Sequence, residues 1–202
     1  LAEFREHPER NALVTESGRI VLGSDKLERL GHAGCPAHPA WMEPAEWLGR
    51  DDAGGRLHLI SHQPAGRLHS QLETGEASLA MKRGGREQAR LNAEDARRLS
   101  IADGETVRLY NDRGACLATA TVADTVRPGV VVLPTGAWFT PSGNSDLDLA
   151  GNPNVLTLDI GTSEFGQGCS AHTCLVHVEP YAGEAPVAFE AYRKNLAAIA
   201  AE

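Results

Sequence analysis

Between Thr106 and Leu133 the chain sets out three short apolar runs separated by two turns. Thr106 to Tyr110 alternates with period two, Asn111 to Gly114 is a turn, and Ala115 to Val122 alternates again. Arg127-Pro128-Gly129 marks a second turn, and Val130 to Leu133 is a continuous apolar strand. Period-two runs bounded by Gly, Pro, Asn and Asp specify strands and hairpin-like connections, not helices. Leu57 to Ser61, behind Gly54-Gly55, adds an apolar strand upstream, and Cys174 to Val178 supplies a last alternating one. Many short strands with turns between them must close on themselves or leave edges exposed, so the pattern predicts a closed barrel.

Around the strands the signals are weaker. Asn92-Ala93-Glu94-Asp95 predicts a helix N-cap with acids in the first turn, the helix ending near Ser100. In the N-terminal region, Ser17-Gly18 reads as a turn, Arg19 to Leu22 as a short strand and Lys26 to Leu30 as a helical turn. Gly31 to Pro39 is a loop, and Trp41, Met42 and Trp47 bring large apolar area to pin this segment on the main body or on a further domain. Thr140 to Asp148 reads as a long surface loop, and Asn154 to Thr157 as the start of a short helix. Phe189, Tyr192, Leu196 and Ile199 share one face of a C-terminal amphipathic helix.

Composition excludes several classes. The 202 residues carry a formal charge of −8 with no basic run, which argues against a nucleic-acid surface. No apolar run approaches the roughly 20 residues that span a bilayer. Neither a P-loop nor a Rossmann glycine fingerprint is present. Cys35, Cys116, Cys169 and Cys174 lack the Cys-x-x-Cys spacing of a zinc site, even with His172 between the last two, so free or buried thiols and no metal ligands are expected. The chain opens without Met and with a charged stretch, and reads as a piece of a longer polypeptide.

Two segments carry the chemistry. One is Arg67-Leu68-His69-Ser70-Gln71; the other runs from Gly151-Asn152-Pro153-Asn154 through Asp159 and Gly161 to Gln167-Gly168. Both are dense in uncharged hydrogen-bonding side chains beside Gly and Pro. Amide side chains offer two donors and an acceptor each, which suits a ligand rich in ring nitrogens, carbonyls and phosphates, and glycines let the backbone approach it closely. The planar fork of Arg67 suits phosphate or carbonyl oxygens, and equally a structural ion pair. His69 is suited to a ring nitrogen, or to burial with a satisfied partner. Asp159 can accept a paired donor edge or cap a turn, and Trp138 is a pocket wall or a core residue.

These two motifs, together with Cys35-Pro36-Ala37-His38-Pro39 through Trp47, Leu57 to Ser61, Asn111-Asp112-Arg113-Gly114 and Gly136-Ala137-Trp138-Phe139, resemble in order the C-terminal domain of the dimethyl sulfoxide reductase family of molybdopterin oxidoreductases. The likeness covers about Phe4 to Pro180 and is nearest to the S- and N-oxide reductases. It implies a mainly β fold with small helices, a six-stranded double-psi β-barrel like that of aspartate decarboxylase. It implies residues 1–50 as an extended arm from a preceding domain, 51–182 as the barrel and 183–202 as a C-terminal helix. The implied cofactor is molybdenum bis(molybdopterin guanine dinucleotide). Its implied contacts are Ser61, Gln63, Arg67, His69, Ser70 and Gln71 from the first motif, and Asn152, Asn154, Asp159 and Gln167 from the second, with Asn154 and Gln167 the preferred pair. Gln63 stands where several family members have histidine, which tilts the reading toward a biotin- or methionine-sulfoxide-type substrate. The resemblance assigns neither the molybdenum ligand nor any catalytic residue to this chain; Ser70 and Ser163 lie inside cofactor-contact motifs. The implied partners are the remaining domains of the same enzyme and an S- or N-oxide substrate; the compartment is not indicated. Two other readings share the barrel. A self-processing decarboxylase needs a cleavable Gly-Ser pair, and the chain's Gly23-Ser24 falls outside the barrel region. A non-catalytic barrel that binds a partner protein leaves the two ligand-type motifs without a use.

Overall fold

The computed structural model describes residues 1–50, 53–143 and 145–199. The chain divides into two compact units, Leu1–Glu43 with Ile160–Gly168, and Pro44–Asp159 with Cys169–Glu202.

The larger unit is built on seven strands: β1 (Leu57–Ile60), β2 (Gln88–Leu91), β3 (Thr106–Asn111), β4 (Gly114–Val122), β5 (Val130–Val132), β6 (Leu147–Asp148) and β7 (Cys174–Pro180). Their order is β2-β5-β1-β7-β3-β4-β6, and β2 also pairs with β4. That last pairing closes six strands into a ring, with β6 added outside on β4. Two pairs in the ring are parallel, β1 with β5 and β2 with β4; its other four are antiparallel. The architecture is the six-stranded double-psi barrel.

Alternation explains the closure. Leu57 and Leu59, Ala89 and Leu91, Val107 and Leu109, Cys116, Ala118 and Ala120, Val131, and Cys174, Val176 and Val178 point into one buried core. Small side chains on β2 and β4 match the narrow interior of six strands. β4 is buried on both faces from Ala115 to Ala120, because Leu117 packs outward into a second cluster with Ala137, Leu149, Ala150 and Ala188. The strand therefore reads as a continuous small-apolar run at its centre.

Short helices fill the connections: α3 (Glu76–Leu79) and α4 (Ala93–Arg98) between strands, and α5 (Ala188–Ile199) at the C-terminal end. Asn92 caps α4 as its sequence predicts, its side-chain oxygen accepting from the Glu94 N–H at 2.8 Å while its amide donates to the Val126 carbonyl at 2.7 Å. On α5, Ala188 is buried and Tyr192 half-buried, in keeping with an amphipathic helix; the side chains of Leu196 and Ile199 lie outside the described residues.

Two local expectations in the larger unit fail. Thr140 to Asp148 is no plain surface loop, because Thr140 and Asp148 are both buried and β6 forms within it. Thr140 and Asp148 turn inward because the Asp148 carboxylate organises the local backbone, as the site geometry below shows, while Ser145 and Asp146 stay exposed. The expected short helix at Asn154 to Thr157 is a 3-10 turn, Pro153–Val155.

The smaller unit carries α1 (Ala2–Glu6) and α2 (Asp25–Leu30). Ser24 caps α2 by accepting from the Leu27 N–H, and Gly31 ends it in the left-handed region. The turn at Ser17-Gly18 is present, closed by Leu13 N–H on the Gly18 carbonyl at 2.8 Å. The strand expected at Arg19 to Leu22 is absent. β propensity there has no second strand to pair with, and a lone strand has no ladder to stabilise it. No described side chain of this unit is buried; Trp41, for instance, is 73% exposed.

Candidate cofactor-binding site

Strand register decides which loops meet. Leu59 pairs with Val131 on β5 and with Cys174 on β7, so β1 and β5 end where β7 begins. Arg90 pairs with Val132, which brings the start of β2 to the same end. Tyr110 pairs with His177 and Asn111 with Gly114, which adds the β3–β4 turn. The segments Ser61 to Gln71, Thr135 to Trp138 and Asp148 to Leu156 therefore all leave the barrel at one end.

The first loop is pinned by its own amide. Gln63 Nε2 donates to the Arg67 carbonyl, and its Oε1 accepts from the His69 N–H at 3.1 Å. His69 and Leu72 adopt positive φ, 51° and 57°, a conformation that costs a non-glycine residue energy and needs outside support. The support comes from the β5 exit. Gly136, at φ 94°, lies so close to the His69 carbonyl that an added Cβ would sit 1.9 Å from its oxygen. Trp138 Nε1 donates to the Ser70 carbonyl at 2.8 Å.

Beneath the loop lies a buried cluster of four charges. Arg67, with no side-chain exposure, pairs with Glu73 at 3.2 Å and Glu87 at 3.0 Å, and Lys82 pairs with the same two carboxylates at 2.7 and 2.6 Å. Arg67 also donates to Ser78 Oγ at 3.1 Å and to the Thr135 carbonyl at 2.7 Å. Its Nε–H is close to Glu73 but misaligned, and stays without a proper hydrogen bond. Two positive and two negative charges balance, which makes their burial tolerable. Of the two uses that the sequence left open for Arg67, the structure shows the ion pair.

The second motif starts from another buried acid. Asp148 is wholly buried, and its carboxylate accepts from four backbone N–H groups: Thr140 at 2.8 Å, Ala150 at 3.2 Å, Gly151 at 2.8 Å and Asn152 at 2.7 Å. Burial pushes its carboxyl above the ordinary aspartate range, against the pull of those four donors. Asn152 in turn accepts from the Asn154 N–H at 3.0 Å and caps the 3-10 turn. Glu87 joins the two motifs: its side chain holds Arg67 and its N–H donates to the Ala150 carbonyl at 3.0 Å.

What remains for a ligand is a set of neutral polar groups. The side chains of Ser61, His69, Ser70, Gln71 and Asn154 make no hydrogen bond among the described residues. Nδ1 of His62, at the end of β1, is buried without a partner. Burial and the nearby Arg90 depress the His62 pKa and favour its neutral ring. Asp159, at the close of the same segment, is exposed. Gln167 belongs to the other unit, where it donates to the Ser163 carbonyl at 3.4 Å. These donors and acceptors suit the ring edges, carbonyls and phosphate oxygens of a pterin nucleotide, with backbone and amide groups in place of cations. Sequence reasoning missed His62, Glu73, Lys82, Glu87 and Asp148. Only Asp148, just ahead of a Gly-Asn-Pro-Asn run, gave a signal of backbone capping.

The family model described as the molydopterin dinucleotide binding domain matches residues 57–175, from the first strand of the barrel into the last. The chain belongs to this family. A biotin sulfoxide reductase of Cereibacter sphaeroides is 65% identical over 199 residues, which is 98% of this chain and 27% of that protein. A dimethyl sulfoxide/trimethylamine N-oxide reductase of the same organism is 45% identical over 189 residues, 92% of the chain and 23% of that protein. The chain thus spans about a quarter of the length of these relatives. Acetylene hydratase from Pelobacter acetylenicus shares the fold, with a TM-score of 0.68 at 18% identity over 87% of this chain and 25% of that one. All the partnerless polar groups just described lie within the matched residues 57–175.

Proposed function

We propose that this chain is the C-terminal dinucleotide-binding part of a bacterial molybdenum oxidoreductase that reduces S-oxides or N-oxides by oxygen-atom transfer. The observation that carries it is the 65% identity to a biotin sulfoxide reductase across 98% of the chain. The bound group is molybdenum bis(molybdopterin guanine dinucleotide), whose metal supplies the redox chemistry. Ser61, Gln63, His69, Ser70, Gln71 and Asn154 contact it from the barrel end, and Asp159 and Gln167 complete the contacts. Arg67 and Asn152 act from beneath, by fixing the backbone that carries those groups. Residues 1–50 run as an arm from a preceding domain, a reading supported by the lack of any buried side chain in 1–43. Residues 51–182 bind the cofactor and 183–202 form the closing helix. Metal ligand and substrate pocket come from the rest of the enzyme.

The full-length enzyme tests this. Molybdenum and releasable guanine nucleotide should copurify with it, and reduced viologen should be consumed with biotin sulfoxide, dimethyl sulfoxide or trimethylamine N-oxide. His69→Ala and Gln71→Ala should each lower nucleotide content while leaving the unfolding transition in place, because both side chains are exposed and bond to nothing in the fold. Full nucleotide occupancy in both variants would refute the contacts, and a metal-free active enzyme would refute the function. The 202-residue chain alone should turn over none of these substrates.

A further inference from the structure

The segment after β7 lies beyond the residues 57–175 that carry the family signature, yet it is tied to the first cofactor loop by a chain of specific contacts. Arg86 is buried at 4% exposure. Its guanidinium donates to the carbonyls of Ala185 at 2.9 Å and Pro186 at 2.7 Å, and also to those of Leu149 and Gly84 at 3.3 Å. All four acceptors are main-chain carbonyls. Burial lowers the Arg86 pKa, the mark of a guanidinium taken out of water. Such a residue is costly to keep and specific in what it holds. The neighbouring Gly85, at φ 77°, has Val187 where a side chain would be: an added Cβ would fall 2.4 Å from Val187 Cγ1. The tail is clasped just before α5 begins.

The clasp sets where α5 starts, and α5 delivers Tyr192. The Tyr192 ring lies 5.1 Å from the Trp138 ring, tilted at 55°. Trp138 is the residue whose indole N–H holds the Ser70 carbonyl. The tail therefore reaches the strained His69-Ser70 backbone through one aromatic contact and one hydrogen bond. Behind that contact is a small cavity lined by Glu73, Lys82, Trp138, Phe189 and Tyr192, so α5 also covers the charge cluster under the loop.

We propose that residues 185–192 are a positioning strap for the dinucleotide site: Arg86 anchors the tail, Tyr192 seats Trp138, and Trp138 holds the first loop in its ligand-ready backbone conformation. Tyr192 and Arg86 are positioning residues that touch no cofactor. This rests on the dinucleotide-binding reading given above.

The test uses the full-length enzyme with Tyr192→Ala, Tyr192→Phe and Trp138→Phe. Hydrogen exchange reports the loop, and guanine nucleotide content reports the site. Tyr192→Ala and Trp138→Phe should each speed exchange of the amides from His69 to Leu72 by roughly tenfold, the loss of one local restraint, with exchange in β3 and β4 unchanged. Both should bind less nucleotide, and Tyr192→Phe, which keeps the ring, should behave as wild type. If Tyr192→Ala disturbs the whole barrel, Trp138→Phe still isolates the hydrogen bond. Unchanged loop exchange in both variants would overturn the strap, and so would faster exchange with wild-type nucleotide content. Lack of nucleotide in the wild-type enzyme would instead overturn the dinucleotide reading, while the exchange result would still report the strap.

Discussion

The Glu87 carboxylate lies 3.0 Å from the guanidinium of Arg67, and the Glu87 N–H donates to Ala150 at 3.0 Å. One residue at the mouth of β2 thus holds the first ligand motif by its side chain and the approach to the second by its backbone. The two motifs are distant in sequence, and Glu87 ties Arg67 of the first to the backbone at Ala150, just ahead of the second.

Glu87→Ala should therefore be severe. It leaves Arg67 and Lys82 buried against a single carboxylate, Glu73. Uncompensated buried charge costs about 3–5 kcal/mol when one partner of a buried pair is removed. Urea unfolding should show that loss, and Lys82→Met combined with Glu87→Ala should lose less than the sum of the two single changes, because the pair shares one interaction at 2.6 Å.

Asp148→Ala removes the acceptor for four backbone N–H groups at once. A buried donor left unsatisfied costs about 1–3 kcal/mol, so a loss of several kcal/mol is expected unless water enters. Asp148→Asn keeps one acceptor oxygen and should fall between alanine and wild type. Thermal unfolding of the three proteins checks the order.

Glu46 should make part of the stability depend on acid. Burial raises its pKa, but the Arg113 guanidinium and the Leu175 N–H at 2.8 Å outweigh this and hold the carboxyl below the ordinary glutamate range. With the folded value below the unfolded one, the stabilisation is complete above the unfolded value and disappears as pH falls through the folded one. Between about pH 5 and about pH 3 the wild type should lose more stability than Glu46→Gln. Denaturant midpoints across that range measure the difference; parallel curves for the two proteins would count against the pairing.

Much of the barrel was legible because its strands are short alternating or continuous apolar runs bounded by turns: β1, β3, β4, β5 and β7 stand out within a residue or two at most ends. β2 did not, since Gln88-Ala89-Arg90-Leu91 offers just two small or apolar inward residues and two long polar outward ones. The sixth strand came from resemblance alone. In the site, the polar loop residues were legible by type, but the groups that hold them were not. Glu73, Lys82 and Glu87 look like ordinary surface charges in sequence, and only closure of the barrel brings them beneath Arg67. The burial of Asp148, as distinct from its capping signal, was hidden for the opposite reason: a stretch of Ser, Gly, Asn and Asp signals solvent exposure, yet here one carboxylate draws the turn inward.

Gly136→Ala tests the loop geometry most directly. At φ 94° any L residue is strained, and the new methyl would meet a backbone carbonyl, which cannot swing aside as a flexible side chain would. The His69-Ser70 peptide must shift, and the Trp138 hydrogen bond to Ser70 shifts with it. A stability loss of about 2–4 kcal/mol is expected from overpacking plus backbone strain. The disturbance should stay at this end of the barrel, because the atoms nearest the added methyl belong to His69 and Arg67. Trp138 fluorescence should change while far-ultraviolet circular dichroism holds, and nucleotide content of the full-length enzyme should drop. An alanine variant with wild-type stability and nucleotide content would show that the close approach at His69 is incidental to the site.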